Sequence, residues 1–152
     1  MILILCASSL SLVYLGIVLG NHLTPPPAEV GFTNQRLSPC PQSPNCVCSQ
    51  DESLAHLIEP IPFSGSEETV QKKIAEILRQ QRGCQIVKQE GNYLHAEFRS
   101  LCFRFVDDVE FLIDSGQNRI HVRSASRVGH YDLGANRKRI EAIRQLYLNS
   151  NN

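Results

Sequence analysis

The sequence lacks the short motifs that reveal the commonest enzyme chemistries. Its 152 residues contain no Walker loop, no GxGxxG turn, no GxSxG nucleophile elbow and no HExxH metal site. Net charge is also lacking, because 15 basic side chains balance 15 acidic ones, so nothing draws the whole chain toward nucleic acid. With 42% hydrophobic and 20% charged residues, the composition is that of a folded chain, and the length fits one domain. These patterns identify no substrate.

Charged side chains are missing from residues 1–28. Within that stretch, residues 2–20 are almost wholly apolar or small, which is long enough to cross a hydrocarbon core as a helix. A signal peptide normally has a shorter apolar run behind a basic lead-in, and residues 18–20 are a poor cleavage site. We therefore predict a membrane anchor at residues 1–20, with a cleaved signal segment, and hence a secreted domain, as the alternative.

The remaining chain divides into three parts. Pro25, Pro26 and Pro27 remove backbone donors and fix φ, which predicts an extended, semi-rigid tether over residues 21–36. We expect a single folded domain at residues 37–148 and a polar tail at residues 149–152. The anchor would be single-pass, and the cysteines discussed below favour an extracytoplasmic domain, in a periplasm or a lumen.

Periodicity predicts an α+β domain. A helix is expected over residues 66–82, with Ser66 or Ser64 as its N-cap. A last helix should begin at Leu133 or Asn136 and end at Leu148, with an apolar side made of Ile140, Ile143, Leu146 and Tyr147. Strands are expected at residues 84–89, 93–99, 101–113 and 119–126, with a short edge strand at most within 58–63. The expected fold is a curved antiparallel sheet of about four or five strands with two helices, behind an N-terminal apolar helix.

The turn at residues 115–118 predicts the register of the two strands beside it. If Asp114 pairs with Arg119, one side of the pair joins apolar residues, and the other joins Glu110 to Arg123 and Leu112 to His121. On the apolar side Asp107 would lie opposite Ser126. His95 and His121 would fall on the solvent side.

Three stretches carry a family resemblance. They are residues 40–47 (CPQSPNCV), residues 105–111 (FVDDVEF), and residues 123–129 (RSASRVG) leading into residues 132–141 (DLGANRKRIE). Together they resemble the domain-of-unknown-function 1499 family of bacteria and photosynthetic eukaryotes, over residues 37–146. Members of that family often follow an N-terminal signal or membrane segment. The resemblance implies no established reaction and no catalytic residue, and Cys48 stands where the pattern leads us to expect serine.

Cys40 and Cys46 lie in a loop stiffened by Pro39, Pro41 and Pro44. A disulfide that closes this loop is natural in an exported protein. Free thiols are a second interpretation, and a metal or redox site that uses Cys48 as well is a third. The spacing matches no common zinc site, so we expect no metal and no cofactor.

Polar residues converge at one end of the predicted sheet. We expect Asp107 to be partly buried and hydrogen-bonded to Ser126 or to backbone donors near Val128. The basic run at residues 137–139, in the first turns of the last helix, suggests nearby carboxylates or a bound anion. The candidate ligand-binding residues are Asp107, Arg123, Ser124, Ser126, Arg127, Asn136 and Arg137.

Three functions remain open. The first is a membrane-anchored binding or scaffold module without catalysis, which binds a small anionic ligand. The second is a hydrolase or transferase on an anionic substrate, using Asp107, Arg123, Arg127 and His130. The third is a thiol or metal protein built on the loop at residues 40–48. Nucleic acid is not an expected partner of any of them, and the sequence identifies no protein partner.

Overall fold

A computed structural model describes residues 2–25 and 30–150, together with the side chains of residues 11–21, 23–25 and 30–150. The helices are Ile2–Leu23 (α1), Glu67–Arg79 (α2) and Ala135–Asn149 (α3). The strands are Phe32–Thr33 (β1), Arg36–Leu37 (β2), Cys46–Cys48 (β3), Ile61–Pro62 (β4), Cys84–Glu90 (β5), Tyr93–Arg99 (β6), Val106–Asp114 (β7) and Arg119–Ser126 (β8). The α+β class is confirmed.

The main sheet is antiparallel and has six strands among the described residues, in the order β3-β8-β7-β6-β5, with β4 also paired to β8. The register predicted for β7 and β8 is confirmed, because Asp114 faces Arg119, Glu110 faces Arg123 and Asp107 faces Ser126. The expected four or five strands become six because residues 46–48 pair with the edge of β8, although the neighbouring prolines favour a loop.

Both later helices pack on one face of the sheet. Val70, Ile74 and Leu78 of α2 meet a core that includes Val109, Phe111 and Val122 from the strands. Ser66 is the N-cap of α2, since its hydroxyl accepts from the Thr69 amide. In α3 the apolar stripe is Ile140, Ile143 and Tyr147.

The expected burial of Leu146 is wrong, since 45% of it is exposed. Arg144 lies in the buried zone of α3 instead, where its guanidinium donates to the carbonyl oxygens of Glu59 and Pro60 just before β4. Its hydrocarbon stem can pack while its head is hydrogen-bonded.

The third expected strand begins five residues later than expected. Residues 100–105 form a loop that is closed by the Ser100 amide donating to the Phe105 carbonyl and by the Phe105 amide donating to the Ser100 hydroxyl. Arg104 takes a positive φ of 59°, which is incompatible with a strand.

The N-terminal helix α1 contacts this loop. The Tyr14 hydroxyl donates to the Cys102 carbonyl at 2.8 Å, and the Asn21 side-chain amide donates to the Phe103 carbonyl at 2.7 Å. Exposed apolar side chains of α1 are Leu12, Val13, Tyr14, Leu15, Ile17, Leu19 and Leu23. Within the part of the chain that is described, no helix combines the length and the hydropathy needed to cross a membrane.

The expected tether is not uniformly extended. Its first residues continue α1 to Leu23, and its last residues form the β1–β2 hairpin against the sheet. Pro26 and Pro27 lie outside the described residues, so an extended conformation there stays a prediction. Within the expected tail, Asn149 ends α3 and Ser150 is its C-cap, whereas Asn151 and Asn152 lie outside the described residues.

Candidate functional site

The second face of the sheet is also buried, and it carries charges where the first carries hydrocarbon. We call this set the charge network: three carboxylates and three guanidinium groups, with His95 bonded to Asp108 and Tyr93 bonded to Glu110. Its ionic members are Glu97, Asp108, Glu110, Arg99, Arg123 and Arg127. The expectation of a solvent face is wrong, since His95 is 5% exposed and His121 is 7% exposed.

The cover over this face comes from the segment between α1 and β3 and from the last residue of β3. The Phe32 ring lies 5.1 Å from that of Tyr93, and Leu37 and Cys48 pack with Tyr93 and Leu112 in a small apolar cluster. A local strand pattern cannot reveal such a cover, because the covering residues are remote in sequence.

Asp108 is the most connected carboxylate of the charge network. It is 0% exposed, and it accepts from Arg127 Nε and Nη2 and from His95 Nε2, each at 2.8 Å. Burial by itself raises the pKa of Asp108, but the hydrogen bonds from Arg127 and His95 outweigh it and lower that pKa below its usual value. The carboxyl is therefore ionised at neutral pH and cannot act as a general acid there.

Arg127 extends the charge network toward α1. Its Nη2 also bonds Glu97, whose other carboxylate oxygen accepts from Arg99 at 2.6 Å. Its Nη1 donates to the Thr24 carbonyl just after α1. All three nitrogens of Arg127 are thus engaged by the protein itself.

Glu110 organises the other half of the charge network. It is also 0% exposed, and it accepts from the Tyr93 hydroxyl at 2.7 Å, from the Gly31 amide at 2.7 Å and from Arg123 Nη1 at 2.8 Å. Burial and the Glu110 carboxylate raise the pKa of Tyr93, which keeps its hydroxyl protonated and donating.

Arg123 is less well satisfied than Arg127. It is 2% exposed, and its Nε is buried with no hydrogen-bond acceptor among the described residues. Arg123 also lines a cavity of about 250 Å³, which we call the Arg123 cavity. Its other walls are the disulfide loop and the end of β8: Pro41, Ser43, Asn45, Ala125, Ser126, Arg127 and Gly129.

On the opposite face, Asp107 pairs with a different partner from the one expected. Its carboxylate accepts from Arg139 Nη2 at 2.6 Å, and no bond to Ser126 or to Val128 is found among the described residues. Arg139 reaches it from α3, which packs on the neighbouring strand β8. The Arg139 guanidinium lies over the Phe98 ring, 4.7 Å from its centre. A cavity of about 220 Å³ that includes Asp107, Ser126 and Arg139 opens here.

Asn136 joins the two candidate serines. Its side-chain oxygen accepts from the Ser124 hydroxyl at 2.5 Å, and its amide nitrogen donates to Ser126 at 3.0 Å and to the Asn45 carbonyl at 2.9 Å. Asp132 caps this start of α3 by accepting from the Gly134 and Asn136 amides. Burial opposes ionisation, but those hydrogen bonds lower the pKa of Asp132.

Arg137 is separate from both groups. It donates to the backbone carbonyls of Leu57 and Ala55 and lines a third cavity of about 180 Å³. The structure therefore brings Asp107, Ser124, Ser126 and Asn136 together on the helix-covered face. It places Arg123 and Arg127 together on the other face, where Ser126 also borders their cavity. The catalytic set proposed for an enzyme is divided between the two faces of the sheet, and His130 lies in the exposed loop after β8.

The pairing of Cys40 and Cys46 decides between the three interpretations of the loop at residues 40–48. Cys40 and Cys46 form a disulfide, with their Cα atoms 5.7 Å apart, so that interpretation is confirmed. Cys48 is free and buried, and burial raises its pKa, which disfavours the reactive thiolate. Cys40, Asp51 and His56 lie within ligand distance of one another, but the sulfur of Cys40 is already bonded to Cys46 and offers no thiolate.

A family model described as "Protein of unknown function (DUF1499)" matches residues 36–146. The chain belongs to this family. No curated protein and no solved structure matches the chain significantly. The Arg123 cavity and the cavity lined by Asp107, Ser126 and Arg139 both lie within the matched residues of this DUF1499 domain.

Several residues of the DUF1499 site are not among the binding residues predicted from the sequence, although Glu110 is predicted opposite Arg123. Glu97, Asp108, Glu110 and Tyr93 alternate along β6 and β7, and this period of two was visible. The sequence signal is at Glu110, which faces His95 on one neighbouring strand and Arg123 on the other, so charges on this face can cancel and be buried. The register gives no such signal for Asp108, which faces Glu97 and Ala125.

Proposed function

We propose that this DUF1499 protein is a non-catalytic binding module, held at a membrane by residues 2–20 with its domain on the extracytoplasmic side, and that it binds a small anion in the Arg123 cavity. The observation that carries the binding proposal is that Arg123 lines this cavity while its buried Nε has no acceptor among the described residues. A buried donor without a partner costs about 1–3 kcal/mol, and an anion oxygen would remove that cost.

The membrane part is supported by the apolar surface of α1. From Leu12 to Leu23 most of the large apolar side chains are exposed, and residues 2–20 contain no Asp, Glu, Lys, Arg or His. Exposed apolar area of this kind is stable in lipid and costly in water. The Cys40–Cys46 disulfide supports an oxidising, extracytoplasmic compartment.

The charge network limits the kind of ligand. Three carboxylates already balance three guanidinium groups, so the Arg123 cavity has no large excess of positive charge. Recognition would depend on the directed Arg123 Nε donor, with the ligand small enough for about 250 Å³. Inorganic phosphate and short carboxylates meet both conditions.

A thermal-shift measurement on the full chain in detergent tests the binding proposal. Phosphate, compared with chloride at matched ionic strength, should raise the Tm of the parent protein, because a ligand that binds only the folded state stabilises it by mass action. Arg123→Lys keeps a cation for Glu110 but removes the Nε donor, so its Tm should not respond.

Arg137→Lys is the matched control, because Arg137 lines a different cavity and bonds only backbone carbonyls. It should keep the phosphate response of the parent. The binding proposal fails if neither phosphate nor acetate shifts the parent protein, or if Arg123→Lys responds as the parent does.

A further inference from the structure

We infer that the loop at residues 100–105, between β6 and β7, inserts into the lipid bilayer beside α1 as a second membrane contact of the domain. This inference rests on the proposed membrane anchoring. Three large apolar side chains of the loop are exposed at the surface: Leu101 is 59% exposed, Phe103 is 44% exposed and Phe105 is 41% exposed. Exposed apolar side chains that lie together in this way mark a site of interaction with a membrane or another molecule.

The apolar surface of the loop is continuous with that of α1. The Tyr14 ring lies 6.1 Å from that of Phe103, which lies 5.8 Å from that of Phe105. Hydrogen bonds from Tyr14 and Asn21 to the carbonyls of Cys102 and Phe103 hold the loop along the helix. Whatever medium covers this side of α1 therefore also covers the tip of the loop.

The position of Tyr14 sets the depth of insertion. With a rise of 1.5 Å per residue, Tyr14 lies roughly 9 Å along the helix axis before Gly20, the last residue of the predicted anchor. Amphipathic elements at a membrane surface bury their apolar side about 5–10 Å into the boundary between headgroups and acyl chains. The loop tip would reach this boundary beside Tyr14, and tyrosine is enriched at that depth.

The chemistry of the loop fits a bilayer better than a protein partner. Arg104 stands between Phe103 and Phe105, and its guanidinium has no hydrogen-bond or ionic partner among the described residues. A long cationic side chain beside aromatic residues can extend to lipid phosphates while its neighbours enter the acyl region. Tyr131, which is 74% exposed, borders the same cavity as Phe105 and enlarges the apolar patch.

The chain contains no tryptophan, so a single introduced one reports its own surroundings. The full chain is reconstituted into vesicles of phosphatidylcholine and phosphatidylglycerol, with or without bromine on the acyl chains near the headgroups. Phe103→Trp should shift its emission to shorter wavelength in vesicles and lose emission to the brominated lipid. Leu15→Trp on α1 should also lose emission.

Gln117→Trp is the control, because Gln117 lies in the exposed turn at the far end of β7, about 30 Å from the loop at 3.4 Å per strand residue. Its emission should be the same in both kinds of vesicle. Quenching at position 15 without quenching at position 103 would overturn the loop insertion and leave the anchor standing. Absence of quenching at both positions would contradict the membrane anchor and the loop insertion together. Equal quenching at position 117 would show that the contact with lipid is not specific to the loop.

Discussion

Asp108→Asn should be the most destabilising conservative change in the charge network. The substitution keeps the size of the side chain but removes a carboxylate that is 0% exposed and accepts three hydrogen bonds. The new amide nitrogen would face donors on Arg127 or His95. Arg127 would then be a buried cation that keeps only Glu97 as its ionic partner.

The magnitude follows from burial on both sides of the pair. The side chains of Asp108 and Arg127 are 1% and 3% exposed, so water cannot replace the lost contacts. Removing one partner of a buried ion pair costs about 3–5 kcal/mol, because the other charge is left uncompensated. That loss is a large fraction of the stability of a domain this size.

Asp107→Asn is the matched control, one residue away on the opposite face. Its carboxylate meets one guanidinium, and the two side chains are 13% and 18% exposed, so solvent can partly replace the pair. We expect a loss of about 1–2 kcal/mol. Urea unfolding of the full chain in detergent, followed by circular dichroism, measures both. A loss at Asp108→Asn below about 1 kcal/mol, or one no larger than at Asp107→Asn, would refute the account of the charge network.

Two further outcomes follow from the described contacts. Because the folded-state pKa values of Asp108 and Asp132 are lowered, their stabilisation is complete above the unfolded-state pKa of about 3.9 and is lost as the pH falls below it. Urea titrations from neutral pH to pH about 3 should therefore show a falling free energy of unfolding, and the fall should be smaller in Asp108→Asn. Gly83→Ala should cost roughly 1–3 kcal/mol, because Gly83 has a φ of 75° and a Cβ there would lie 2.5 Å from the Arg99 carbonyl oxygen. Gly91→Ala, with a positive φ but nothing within 4 Å, should cost less, and equal losses would argue against the steric explanation.

The β7–β8 pair was predictable because its information is local. A short turn fixes which residues face one another, and only one register matches apolar to apolar and acid to base across both strands. The same logic predicted Glu110 opposite Arg123. It could not predict the burial of that pair, because the cover is supplied by Gly31, Phe32 and Leu37, far away along the chain.

The candidate site was only partly predictable for a related reason. Alternation along β8 places Ser124 and Ser126 on the face opposite Arg123 and Arg127. It cannot predict that Ser126, at the end of the strand, borders both the cavity beside Asp107 and the Arg123 cavity. Arg139 was expected to need a carboxylate or an anion, and the structure supplies Asp107. That pairing depends on how α3 crosses the sheet, which no local pattern specifies.

The charge network connects the proposed ligand site to the proposed anchor. Arg127 bonds the Thr24 carbonyl directly after α1, and it also lines the Arg123 cavity. The loop at residues 100–105, which bonds α1, precedes β7 at the same end of the sheet where β8 ends. If α1 anchors the chain in a bilayer, the Arg123 cavity must lie close to the membrane surface, because both attachments to α1 are at its end of the sheet. An anion that reaches this cavity would approach along the membrane surface, so anionic lipid should reduce its rate of binding through like-charge repulsion, and added salt should restore it.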